Sequence, residues 1–309
     1  MGLHRAAQQM LADTAASGRL NAHLLPVEVA RDNFENDFGE LKGPPLAVVT
    51  DVAIPVPDGE MRARLYHAGG ERPRPLVVYF HGGGWLLGSI DTHDFLTRKL
   101  ALASGCAVLS VDYRRGPDAK FPIAVDDSIV ALNWAFSAAL PHVDVIRLAV
   151  AGDSAGGNLV AALALHARDA GGPQIMHQLL VYPVTTCDLA LGFDDRYEGV
   201  MLYRDEMQWH QDNYLNSPGE RFDTRVSPLG AALAGLPPAT VVLAECDPIR
   251  PQGELYAQTL STAGVPVTVR EFPGMVHGFF GLDQLFPDEA AAAMGFASDQ
   301  LRAALGEQA

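Results

Sequence analysis

The chain has 309 residues, 48% of them hydrophobic, and 37 acidic side chains outnumber 22 lysines and arginines for a formal charge of −15. That length fits one large α/β domain with an added subdomain, and the acidic surplus argues against nucleic acid or an anionic membrane surface as partner, because both repel it at long range. Three scattered cysteines (Cys106, Cys187, Cys246) suit neither a disulfide framework nor a zinc knuckle, no run of about 18 apolar residues offers a membrane span, and no export signal is visible, so a reducing cytoplasm is the expected location.

Residues 1 to about 45 read as short amphipathic helical pieces joined by charged connectors such as 31–37. From Ala47 the pattern changes. Ala47 to Ile54 and Met61 to Tyr66 flank the turn 55–60 in a hairpin-like arrangement that predicts antiparallel edge strands. Short apolar runs then alternate with helical periods. Strands are predicted at 76–80, 107–111, 148–151, 178–182, 240–244 and 267–272, and helices near 92–104, 124–139, 155–170, 252–263 and 288–305. This alternation implies βαβ crossovers and a parallel sheet covered on both faces. Between Tyr182 and Thr240 lies an insertion too long for an ordinary crossover. Its helical stretch 205–215 places Met207, His210 and Tyr214 on one face, which either packs onto the main domain or meets a substrate.

The chemistry centres on Gly152-Asp153-Ser154-Ala155-Gly156-Gly157-Asn158, where an apolar strand enters a G-x-S-x-G turn and a helix leaves it. Such a nucleophile elbow strains the serine backbone and needs glycines where strand and helix come close. His81-Gly82-Gly83-Gly84-Trp85 follows the strand 76–80. Three glycines there suggest backbone N–H groups aimed at a tetrahedral oxyanion, with Gly83, Gly84 and Ala155 as the expected donors. His81 is read as bracing that loop. Among ten histidines, His277 is the best-placed base, in a glycine-flanked loop after the last strand. Asp247, at the end of the strand 240–244, completes the order Ser, Asp, His, with Glu245 as the near competitor.

Together with Asp112-Tyr113-Arg114, Phe121-Pro122 and Tyr182-Pro183, these motifs resemble the hormone-sensitive lipase family of serine esterases from about residue 45 onward. The resemblance implies an α/β-hydrolase fold: an eight-stranded, mostly parallel sheet flanked by helices, with a helical cap. It implies a cap from 1–45 and 185–235, and a core from 46–184 and 236–309. It places nucleophile, acid and base on Ser154, Asp247 and His277, and the oxyanion hole on Gly83, Gly84 and Ala155. Arg115-Gly116-Pro117-Asp118 and Pro251-Gln252 depart from the family's usual residues without removing a reacting group.

The expected function is hydrolysis of short- to medium-chain carboxylic esters through an acyl-enzyme, with no metal and no organic cofactor. Trp85, Met207, His210 and Tyr214 are the expected substrate-pocket residues. The partner is a small-molecule ester, and a homodimer stays open. Two rivals are an amidase or peptidase using the same triad, and a small-molecule receptor on the same fold that has lost its base.

Overall fold

The two-residue period of the strands is what builds the molecule around one sheet. In the computed structural model, which describes residues 2–306, the chain runs α1 (Arg5–Ser17), α2 (Val27–Phe38), β1 (Val48–Val56), β2 (Gly59–His67), β3 (Arg74–Phe80), α3 (Asp94–Ser104), β4 (Ala107–Val111), α4 (Ile123–Ser137), β5 (Val143–Asp153), α5 (Ala155–Ala170), β6 (His177–Val181), α6 (Leu189–Gly192), α7 (Arg204–Tyr214), β7 (Ala239–Ala244), α8 (Arg250–Thr262), β8 (Val267–Phe272) and α9 (Pro287–Leu305). Among the described residues eight strands form one sheet in the order β1-β2-β4-β3-β5-β6-β7-β8. β2 pairs antiparallel with β1 and β4, and every other pairing is parallel. This is the α/β-hydrolase fold.

Side chains alternate across a strand, so β3 feeds two cores. Leu76, Val78 and Phe80 join the cluster that also holds Leu159 and Leu163 of α5. Val77 and Tyr79 join the opposite cluster, with Phe95 of α3 and Ala293 of α9. Both faces are therefore covered, as continuous apolar strands require. β8 is an edge strand, exposed from Thr268 to Glu271, and the charges of Arg270 and Glu271 suit such an edge.

Two elements differ from the sequence expectation. β5 begins at Val143, five residues before the predicted start, because Arg74 and Pro75 pair with Val143 and Asp144 before a bulge resets the register to Leu76 and Leu148. The segment 143–147 is exposed or half-buried, so no apolar run announces it. Residues 31–37, read as a connector, lie inside α2. Asp32 and Asp37 of this stretch face water, while Val27 and Ala30 are buried.

Candidate active site

Ser154 sits between β5 and α5 with φ 52° and ψ −118°, a conformation that L-residues adopt only when their surroundings enforce it. The enforcement is visible. Its N–H donates to the Val181 carbonyl of β6 at 2.9 Å, and its own carbonyl accepts from Asn158 and Val184, each at 3.1 Å. Close approach of α5 to β3 depends on Gly156, where an added Cβ would lie 1.9 Å from the Phe80 carbonyl oxygen. Ser154 occupies the N-cap position of α5, yet its side chain makes no capping bond. The hydroxyl instead meets His277, with Nε2 2.9 Å from Oγ.

On its other side the His277 ring reaches Asp247, Nδ1 to Oδ2 at 2.7 Å. Asp247 is fully buried, and its second oxygen accepts the Ile249 N–H at 2.9 Å. The two loops are tied together because Cys246 N–H donates to the Met275 carbonyl at 2.8 Å. The competitor Glu245 turns away from the imidazole and accepts the Gly274 N–H at 2.7 Å. The structure thus brings Ser154, His277 and Asp247 into one hydrogen-bonded line.

The glycine loop lies against this line. Gly83 (φ 113°) and Gly84 (φ 60°) are in backbone regions that favour glycine. Among the described residues neither amide donates to a backbone carbonyl, and the Ala155 amide opens α5, where helix N–H groups have no partner within the helix. All three expected donors therefore have N–H groups free of backbone partners. His81 is buried with its ring stacked on Tyr113 at 4.4 Å, and burial holds the imidazole well below its ordinary pKa. It braces the loop through its Nδ1 contact with the Gly82 carbonyl at 2.8 Å.

Sequence reasoning missed Asp153. This buried carboxylate accepts from Tyr79 Oη at 2.6 Å and from the Gly82 N–H at 3.0 Å, and it faces His93 Nε2 at 3.5 Å. It therefore ties the glycine loop to the residue preceding Ser154. Burial alone would raise its pKa, but His93 and the Tyr79 hydroxyl together hold it below the usual carboxylate range. Its partners lie at 79–82 and at His93, well before it in the chain, so only the letter beside the serine hinted at it. Tyr182, expected only as part of the Tyr182-Pro183 signature, has its ring 4.6 Å from that of His277.

A mostly apolar cavity of about 180 Å³ opens on Ser154 and His277. Of the expected pocket residues, Trp85, Met207 and His210 line it. Tyr214 does not reach it. Its ring is fully buried and stacked on Trp85, 4.7 Å between centroids and 4° from parallel, so packing claims that side chain. Phe34 and Phe38 of α2, together with Met201 and Leu202, form walls that the sequence did not single out. Burial pushes the His210 imidazole down to about 4, so the ring over the cavity is neutral near pH 7.

A family profile described as the alpha/beta hydrolase fold matches residues 77–281. The chain is 44% identical over 237 residues to carboxylesterase NlhH of Mycobacterium tuberculosis, covering 75% of this chain and 74% of that protein. It is 34% identical over 293 residues to an ethyl acetate hydrolase of Pseudomonas putida, covering 91% and 92% respectively. Among solved structures, a hyperthermophilic esterase of Pyrobaculum calidifontis superposes with a TM-score of 0.89 at 36% identity, over 99% of this chain and 100% of that one. Nucleophile-elbow geometry, sheet order and these likenesses agree, and the chain belongs to the α/β-hydrolase superfamily, in its hormone-sensitive-lipase-like family of carboxylesterases.

Proposed function

We propose that this carboxylic ester hydrolase cleaves short- to medium-chain esters through an acyl-enzyme on Ser154. The observation that carries the reading is the line from Ser154 Oγ to His277 Nε2 at 2.9 Å and from His277 Nδ1 to Asp247 at 2.7 Å, opening on an apolar cavity. His277 takes the hydroxyl proton as Oγ attacks the ester carbonyl, and Asp247 holds the ring and stabilises the imidazolium. The N–H groups of Gly83, Gly84 and Ala155 receive the oxyanion. Collapse of the tetrahedral intermediate breaks the bond to the alkoxy oxygen, which leaves with the proton from His277. Water then attacks the acyl-enzyme, giving its proton to the same nitrogen, and the acid departs as Ser154 recovers its hydrogen. No step needs a metal or organic cofactor.

The cavity is smaller than the roughly 300–1,000 Å³ of sites for drug-sized ligands, which supports short and medium acyl groups as substrates. The presence of His277 within reach of Ser154 weighs against a receptor that has lost its base. Three buried, unpaired cysteines fit a reducing cytoplasm. The test is turnover of p-nitrophenyl esters of rising acyl length beside the matching anilides, for the wild type and Ser154→Ala. We expect ester turnover to peak at short or medium chains and to fall about 10⁶-fold in kcat in the variant, because the members of a triad act as a unit. Preferred anilide turnover would move the reading to an amidase, and near-normal esterase activity in Ser154→Ala would remove the nucleophile.

A further inference from the structure

Arg31 stands outside the reacting groups, yet its guanidinium is aimed at the back of the glycine loop. It projects from α2 with Nε donating to the Leu86 carbonyl at 2.8 Å and one terminal nitrogen donating to the Gly116 carbonyl. The other terminal nitrogen meets Asp118 at 2.7 Å. Gly116 N–H in turn donates to the Trp85 carbonyl at 3.0 Å, while Leu86 and Leu87 N–H both donate to the Gly83 carbonyl, at 3.1 and 2.8 Å. The turn that presents Gly83 and Gly84 is thus closed on itself and held from behind through Leu86 and Trp85. Arg31 is the one contact among these that arrives from the N-terminal helices. A planar fork spanning two carbonyls fixes orientation in a way that a single-point donor does not.

A second contact from the insertion bears on the same loop. Tyr214 of α7 stacks on Trp85, and an added Cβ on Gly84 would lie 2.2 Å from His210 Nδ1. We propose that Arg31 is a positioning residue for ester hydrolysis: it couples the seating of α2 to the geometry of the oxyanion loop, so that the segment walling the pocket also sets the aim of the N–H donors. The inference rests on the oxyanion reading of Gly83 and Gly84 given above.

The test measures kcat and KM on p-nitrophenyl acetate for Arg31→Met, Arg31→Lys and Asp118→Asn, each normalised to active sites titrated with a chromogenic phosphonate. Inhibition by an aryl trifluoromethyl ketone, whose serine adduct carries an oxyanion, is measured in parallel. Small misplacements of catalytic groups cost up to about a hundredfold, so Arg31→Met should lose about ten- to a hundredfold in kcat with KM within about twofold. Its ketone affinity should fall by the same factor, Arg31→Lys should lie between, and Asp118→Asn should stay within about twofold of wild type. Full kcat per titrated site in Arg31→Met overturns the proposal, as does a change confined to KM, which would make Arg31 a prop for the pocket wall alone. If Arg31→Met yields no titratable protein, Arg31→Lys decides, and full kcat there overturns the proposal because an ammonium does not reproduce the fork. A wild type that the ketone fails to inhibit sinks the oxyanion reading itself. A wild type that binds it, beside an unaltered Arg31→Met, sinks only the coupling.

Discussion

Glu206 shows how far a single side chain can depart from what its letter suggests. On the helix 205–215 it reads as one more solvated acid, but in α7 it is half-buried between Asp205, which faces water, and the fully buried Met207. Burial raises its pKa from 4.5 to about 7, against the smaller opposing pull of the Tyr203 backbone amide and of His277. For an acid whose folded pKa is raised, the unfolded chain loses its proton first, so stability declines as pH rises from 4.5 to about 7 and levels off beyond. Glu206→Gln removes this penalty while keeping an oxygen for the Tyr203 amide. We expect the variant to match wild type near pH 4.5 and to melt about 1–2 °C higher at pH 8, the shift that roughly 1 kcal/mol gives in a chain of 309 residues. Melting curves across that range check it, and a difference that does not change with pH would refute it. Ser154, Asp247 and His277 were legible because each lies in a short motif whose backbone demands glycine or proline. Glu206 and Asp153 were not, since their environments come from segments far away in the chain.

Elements were legible in proportion to the apolar signal they carry. The buried strands β4 and β7 announce themselves, whereas the exposed start of β5 and the charged middle of α2 do not. Departures from family usage also make sense at this scale. The buried amide of Gln252 accepts the Thr185 and Thr186 N–H groups at 2.9 and 3.2 Å, stitching the start of α8 to the beginning of the insertion. Glycines divide by the same logic. At Gly156 a methyl would meet the Phe80 backbone oxygen, whereas Gly295, inside α9, has nothing within 4 Å. Gly156→Ala should destabilise by about 2 kcal/mol or more, because backbone cannot yield as a side chain does. Gly295→Ala should stabilise by about 0.5–1 kcal/mol through helix propensity and a less free unfolded chain. Urea unfolding of the two variants decides, and equal effects of the same sign would contradict the close-packing account.

At the scale of the whole molecule, the sheet follows from the alternation along the chain, whereas the roof was expected from the family resemblance rather than from any periodicity. Alternating strands and helices have few solutions other than a covered parallel sheet, while α1, α2 and the insertion carry no period that says where they lie. We propose that α2 and α7 belong to a cap, because they bring Phe34, Phe38, Met207 and His210 to the cavity above Ser154. Phe34 and Phe38 are tilted against each other, 4.6 Å between ring centroids, and they form a wall on one helix with no part in the reacting line. Truncating such a wall lengthens the space open to an acyl or alcohol chain, and each further buried methylene is worth about 0.8 kcal/mol, or roughly fourfold in kcat/KM. Phe34→Ala and Phe38→Ala should therefore shift the optimum of an ester series toward longer chains and raise KM for the shortest. Their rate of inactivation by a small serine-directed phosphonate should stay within about twofold of wild type, because Ser154, Asp247 and His277 are positioned by the loops after β5, β7 and β8. An unchanged chain-length profile in both variants would take α2 out of the pocket. A matching loss of phosphonate reactivity would instead mean that this wall supports the nucleophile itself.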